Sequence, residues 1–188
     1  MNTDNFSHTS FPDGIQKVYQ KAIIFAAKHH GNQILFCDKI PYVTHLSNVC
    51  MEIFVAAAHT PEFDLGLAVP VALLHDVLED TDCTEAELSA NFGADIAAGV
   101  RALTKDVTLP KEERMLDSLR RIQAQPKTIW AIKLADRITN LQPPPPHWNA
   151  EKISEYKTEA ILIYDHLKES NPYLASRLKN EIAQYPPL

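Results

Sequence analysis

Apolar residues recur at intervals of three and four positions over most of the chain, and no segment alternates apolar with polar residues for long. The stretch GIQKVYQKAIIFAAKHH places Ile15, Val18, Tyr19, Ala22, Ile23 and Ala26 on one helical face. YVTHLSNVCMEIFVAAA continues the pattern with Leu46, Val49, Ile53 and Phe54, so both segments are predicted helices. Capping signals set four further starts: Thr60 before Pro61, Thr84 with Glu87, Asn149 before Glu151, and Asn171 before Pro172. Another helix is expected from about Pro110 to Ala124, where Glu112 and Glu113 suit the positive end. TIWAIKLADRITNL and PVALLHDVLED both read as buried helices. PPPPHW at 143–148 cannot propagate a helix, because successive prolines remove donors and fix φ; it reads as a stiff extended loop. The expectation is an all-α chain without internal repeats or an interdomain linker.

Length and composition narrow this picture. The 188 residues suit one domain, 1–188, with about the first 14 residues expected to be flexible. Hydrophobic residues at 45% and charged residues at 22% are an ordinary globular balance, and no apolar run is long enough to span a membrane. The polar start MNTDNFSHTSFPDG lacks the basic and apolar regions of a signal peptide, so a cytoplasmic location is expected. Cys37, Cys50 and Cys83 are an odd count without a C-x-x-C pair, which indicates neither a disulfide framework nor a zinc ribbon. A net charge of −6 argues against a nucleic-acid partner but leaves room for a small anionic ligand in a local basic pocket.

The chemistry concentrates in HDVLED. Three carboxylates and an imidazole beside Val71, Leu73, Leu74, Val77 and Leu78 are costly to desolvate unless their charge is compensated, and a metal ion would do that. On a helix His75 and Glu79 share a face, as do Asp76 and Asp80, while His75 and Asp76 diverge by roughly 100°. Adjacent ligands can still converge on an ion beside the axis. Asp136 and Asn140 repeat the four-residue spacing inside KLADRITN, and PYVTH puts His45 near a helix start. The set is His45, His75, Asp76 and Asp136. Imidazole and carboxylate without thiolate suit a six-coordinate Mn(II) or Fe(II), or another divalent ion, better than a closed zinc site. His29, His30, His59, His147 and His166 have no comparable carboxylate cluster and read as solvated or hydrogen-bonded side chains.

HDVLEDTD, the following segment ending in NFG, LTKDVTLPKEER, IKLADRITNL and the upstream PYVTH together resemble the hydrolase domain of RelA/SpoT-type alarmone hydrolases, in the HD superfamily. The small single-domain form is the nearest match, over roughly residues 15 to 180. The resemblance implies a single HD-domain helical bundle of roughly eight to ten helices. It implies metal-dependent removal of the 3′-diphosphate of ppGpp or pppGpp, giving GDP or GTP and pyrophosphate, with Mn(II) the first choice of ion. Carried over by residue, the metal ligands fall on His45, His75, Asp76 and Asp136. The catalytic pair falls on Glu79 and Asp80, and the substrate contacts on Asn140, Lys111, Tyr156 and Lys152. No chain remains for a synthetase domain, so hydrolysis alone is implied.

One segment departs from the family pattern. Where an Arg-Lys pair usually packs on the base and approaches phosphate, this chain reads ILFCDKI, leaving Lys39 as the single cation. Two readings of Ile34, Leu35 and Phe36 stand side by side: they stack on the base, which every purine accepts, or the loop packs inward. The alternatives are an HD phosphohydrolase for another nucleotide, including adenosine alarmones, and a nucleotide-binding module without turnover. Intact Glu79 and Asp80 argue against the latter. No oligomeric state is indicated.

Overall fold

The computed structural model describes residues 11–35 and 39–186. Among them ten helices follow in order: α1 (Ile15–His30), α2 (Val43–Ala58), α3 (Leu65–Leu74), α4 (Val77–Asp80), α5 (Glu85–Phe92), α6 (Ala94–Leu103), α7 (Lys111–Gln123), α8 (Lys127–Asn140), α9 (Ala150–Leu167) and α10 (Pro172–Gln184). The fold is all-α, and the β pairing among the described residues is one isolated antiparallel bridge between Ile34 and Pro41. The flexibility expected at the N-terminus falls mainly on residues 1–10, which lie outside the described residues.

Helix α3, LGLAVPVALL, is apolar on every side, and a helix of that kind must be covered all round. It is packed against α1, α2, α6 and α8. Leu65, Ala68 and the whole run from Val69 to Leu74 are buried. Close approach by α6 depends on Gly99: a Cβ there would lie 2.8 Å from Ile129 Cδ1 and 3.3 Å from Val71 Cγ2. Helix α8 brings Ile129, Ile132, Leu134 and Ile138 into the same core, as its sequence predicts.

Three of the four capping signals form as read. Thr84 Oγ1 accepts from the Glu87 N–H at 3.2 Å, Asn149 Oδ1 from Lys152 at 2.8 Å, and Asn171 Oδ1 from Leu174 at 3.0 Å. Each such cap is worth about 0.5–2 kcal/mol. Thr60 is different. Its hydroxyl accepts from Asn171 Nδ2 at 2.8 Å, and α3 starts four residues later than expected, with Asp64 Oδ1 accepting from the Leu67 N–H at 3.0 Å. The 143–148 segment is non-helical, but it closes in a turn in which the Trp148 N–H donates to Pro145 O at 2.9 Å.

PVALLHDVLED is not one helix. The helical path tightens at Asp76, whose φ of −101° and ψ of −3° lie in the sparsely populated bridge region, and resumes for one turn as α4. Thr81, extended at φ −137°, ends that turn. The interruption falls between the two ionisable residues that the sequence makes adjacent.

Candidate active site

His45 stands in the first turn of α2, His75 follows α3, Asp76 precedes α4, and Asp136 comes from the last half of α8. Their donor atoms converge. His75 Nε2 lies 2.9 Å from Asp76 Oδ2 and 3.6 Å from Asp136 Oδ1, while His45 Nε2 lies 3.8 Å and 3.3 Å from the same two oxygens. The break between α3 and α4 removes the angular divergence that a continuous helix would impose on His75 and Asp76.

Hydrogen bonds fix the orientation of both rings. His75 Nδ1 meets Ala72 O at 2.8 Å, and a carbonyl can only accept, so Nδ1 carries the proton. Nε2 is buried and lacks a hydrogen-bond partner. Thr139 donates its hydroxyl proton to Asp136 O at 2.9 Å, so at His45 Nδ1, 3.4 Å away, the same oxygen accepts. Both Nε2 lone pairs therefore face carboxylate oxygens, an arrangement that is repulsive unless a positive charge lies between them. Imidazole-to-carboxylate separations of 2.9–3.8 Å fit a divalent ion, since ligands at about 2.1 Å in octahedral geometry are separated by roughly 3 Å. Without an ion, a proton on His75 supplies part of that charge. Burial opposes charge on His75, but Asp76 and Asp136 outweigh it and hold the imidazole well above the ordinary histidine range. Burial likewise opposes ionisation of the two carboxyls, yet His75 beside Asp76 and Lys133 beside Asp136 hold both below the usual carboxylate range.

A second layer of side chains holds the donors. Tyr42 donates its phenol proton to Asp76 Oδ2 at 2.5 Å, and burial followed by the Asp76 charge drives the phenol pKa far upward. Asn140 Nδ2 donates to Asp136 Oδ1 at 2.5 Å, and Lys133 Nζ donates to Asp136 Oδ2 at 2.9 Å. His30 is buried, donates from Nδ1 to Gln33 Oε1 at 2.8 Å and stacks on Tyr42 with ring centroids 4.7 Å apart. Gln33 Nε2 in turn donates to the Asp80 carbonyl at 2.7 Å. On α4, Glu79 Oε2 accepts from the Lys105 N–H at 2.9 Å and Oε1 lies 3.4 Å from Lys105 Nζ. Burial, then the charges of Asp76 and Glu79, raise the Asp80 carboxyl above its ordinary value.

A cavity of about 910 Å³ opens beside this cluster. His45, Thr139 and Asn140 line one part, Leu35 and Ile40 another, and Trp148 and Tyr156 supply aromatic surface. Of the substrate residues expected from the sequence, Asn140, Lys152 and Tyr156 line this space, whereas Lys111 and Lys39 are not among its lining residues. Lys111 is the exposed first residue of α7; Lys39 is exposed at a positive φ of 56°. Phe36, the third apolar residue of the ILFCDKI stretch, lies outside the described residues.

Several partners were not singled out from the sequence. Lys133 sits three residues before Asp136, a helical spacing that could have flagged it, and Tyr42 lies within PYVTH. Lys105 carries no such signal. Arg137, adjacent to Asp136, is buried, forms an ion pair with Glu159 and lies 4.5 Å from the centre of the Tyr156 ring.

A family model described as HD domain matches residues 22–172. The zebrafish (Danio rerio) protein named guanosine-3′,5′-bis(diphosphate) 3′-pyrophosphohydrolase MESH1 is 31% identical over 167 residues, covering 86% of this chain and 91% of its own length. The Drosophila melanogaster protein of the same name is 32% identical over 165 residues, with 85% and 90% covered. A solved structure reported as a metazoan ortholog of SpoT that hydrolyses ppGpp superposes with a TM-score of 0.79 at 30% identity, covering 93% of this chain and 97% of that one. Because the matched region takes in both histidines, Asp76, Asp136 and the α4 carboxylates, this chain belongs to the HD-domain family.

Proposed function

We propose that this protein is a metal-dependent hydrolase of guanosine 3′-diphosphates, cleaving ppGpp or pppGpp to GDP or GTP and pyrophosphate. The observation that carries the reading is the junction of two features. His45, His75 and Asp76 bring donor atoms within 4.8 Å of one another, Asp136 Oδ1 adjoins both imidazoles, and this group borders a cavity large enough for a nucleotide and provided with aromatic surface. The named activity of the MESH1 relatives supports the same reading.

His45, His75, Asp76 and Asp136 would hold the ion, with Mn(II) preferred for its tolerance of mixed nitrogen and oxygen ligands. When bound, such an ion lowers the pKa of water and neutralises charge on the attacked phosphate. Glu79 then accepts the proton of the attacking water, its carboxylate aimed by the Lys105 N–H. Asp80, whose carboxyl is raised above its ordinary value by burial and by the charges of Asp76 and Glu79, supplies a proton to the ribose 3′-oxygen as the phosphorus–oxygen bond breaks. Asn140 touches both Asp136 and the cavity, and its amide would steady the ligand carboxylate while meeting ribose or phosphate. Tyr156 offers a ring to the base, backed by Arg137, and Lys152 offers charge to phosphate. Lys39 and Lys111 would reach the nucleotide only from outside the cavity lining.

The test is a nucleotide panel with metal-loaded protein: ppGpp, its adenosine counterpart, and plain mono-, di- and triphosphates, following pyrophosphate and phosphate separately. Pyrophosphate from 3′-diphosphates alone is expected. Phosphate from plain nucleotides would instead assign a different HD phosphohydrolase. The apolar wall of Leu35 and Ile40 favours a second outcome within the first reading, turnover of the adenosine compound as well.

A further inference from the structure

A second group of metal-ligating side chains lies away from the cluster described above. His29, in the last turn of α1, Cys83, between α4 and α5, and Glu87, in the first turn of α5, bring one donor atom each to within 4.8 Å of one another. His29 Nε2 is 3.4 Å from Glu87 Oε1. We infer that these three residues form a zinc site, distinct from the catalytic cluster, that ties the end of α1 to the segment following α4.

The donor chemistry differs from that of the catalytic cluster. A thiolate selects a borderline-soft ion such as Zn(II) over Mn(II) or Mg(II), and thiolate plus carboxylate neutralise its double charge. Tetrahedral ligands at about 2.0–2.3 Å from zinc are separated by roughly 3.3–3.8 Å, so His29 and Glu87 already stand at the required distance. Glu87 is 45% exposed in its side chain, which leaves solvent access for water as the fourth ligand.

The three donors stand on ordered supports. The His29 ring packs against Phe25 at 4.4 Å, and Phe25 packs edge-on against Phe92 at the end of α5. Thr81 donates its hydroxyl to Val77 O and accepts the Cys83 N–H at 3.1 Å, while Thr84 caps α5. Cys83 is buried, and burial followed by the Glu87 charge pushes its thiol up to about 11. Coordination would require the thiol to give up its proton to the metal. Because Cys83 follows Asp80 by three residues and its loop bonds back to α4, an ion at this position restrains the turn that carries Glu79 and Asp80.

Cobalt substitution of the full chain tests this, because thiolate-to-cobalt charge-transfer absorption cannot arise from the imidazole and carboxylate cluster. Metal-stripped protein should take up two equivalents of Co(II), one of them with that absorption, and Zn(II) should displace it. Cys83→Ser should remove the absorption and one equivalent. His29→Ala and Glu87→Gln should each weaken that site by at least about 100-fold, as loss of a ligand exceeds the usual cost of losing an outer contact. His75→Ala should keep the absorption while losing the other equivalent, and Cys37→Ser should change nothing. If Cys83→Ser folds poorly, the substitution at exposed Glu87 carries the decision. Uptake of one equivalent only, no charge-transfer absorption, absorption that persists in Cys83→Ser, or an affinity for the absorbing ion left undiminished in Glu87→Gln overturns the proposal.

Discussion

Replacing Glu79 with glutamine separates the position of that side chain from its ability to take a proton. In the structure Oε2 accepts the Lys105 N–H at 2.9 Å, and an amide oxygen can accept the same bond. Glutamine therefore keeps its anchor and its distance from the metal cluster but has no useful basicity. The lost ion pair with Lys105 Nζ, 3.4 Å long with both side chains partly exposed, contributes no more than about 1 kcal/mol. The melting temperature should thus fall by no more than about 4 °C. Loss of general-base assistance lowers turnover by about 10²- to 10⁴-fold, equivalent to roughly 2.7–5.5 kcal/mol in the barrier. The assay is steady-state pyrophosphate release from ppGpp at saturating metal, with metal content measured on the same samples. Turnover within about threefold of wild type, with metal retained, would refute the assignment of Glu79 as base. Loss of the ion would instead make Glu79 a ligand.

Asp76→Ala and His75→Ala should each abolish both metal retention and turnover; stoichiometric metal with full activity in either variant would overturn the ligand assignment. Tyr42→Phe keeps the ring against His30 but removes the hydrogen bond to Asp76, so metal affinity should weaken by about 10- to 100-fold in a chelator competition. Lys133→Met breaks a buried pair whose side chains are 9% and 8% exposed, and should cost about 3–5 kcal/mol in chelator, lowering the melting temperature by roughly 6–20 °C. Added divalent ion should narrow that gap. Asp136 is held below its ordinary pKa, so its stabilisation is complete above about pH 3.9 and is lost as pH falls toward the folded value. Acid unfolding of Lys133→Met should accordingly begin at a higher pH than in wild type. Leu35→Arg puts a guanidinium on the cavity wall and should lower KM for ppGpp more than for its adenosine analogue; equal effects on both would show that the base is read elsewhere.

The helices were legible because their cause is local. Periodic apolar residues in GIQKVYQKAIIFAAKHH and KTIWAIKLADRITN, and caps such as Thr84, Asn149 and Asn171, act within a turn or two of themselves. Thr60 failed as a start signal because its hydroxyl is taken by Asn171, a partner 111 residues away. The residue types of the proposed metal cluster could be named from their desolvation cost and the family resemblance, since four ionisable groups in apolar segments demand compensation wherever they end up. Their convergence was a tertiary outcome. It needed the helical path to break at Asp76, and it needed α2 and α8 to meet beside that break. The same holds for the tautomers of His45 and His75, set by Thr139 and the Ala72 carbonyl, and for Lys105 reaching Glu79 across 26 residues. Cys83 and His29 gave no hint of each other, because a pattern read along one helix cannot register donors that meet only when α1, the α4–α5 loop and α5 are packed together. Periodicity and capping are properties of neighbouring residues and so are written in the chain; proton positions and ligand distances depend on which distant groups share a buried space, and only packing decides that.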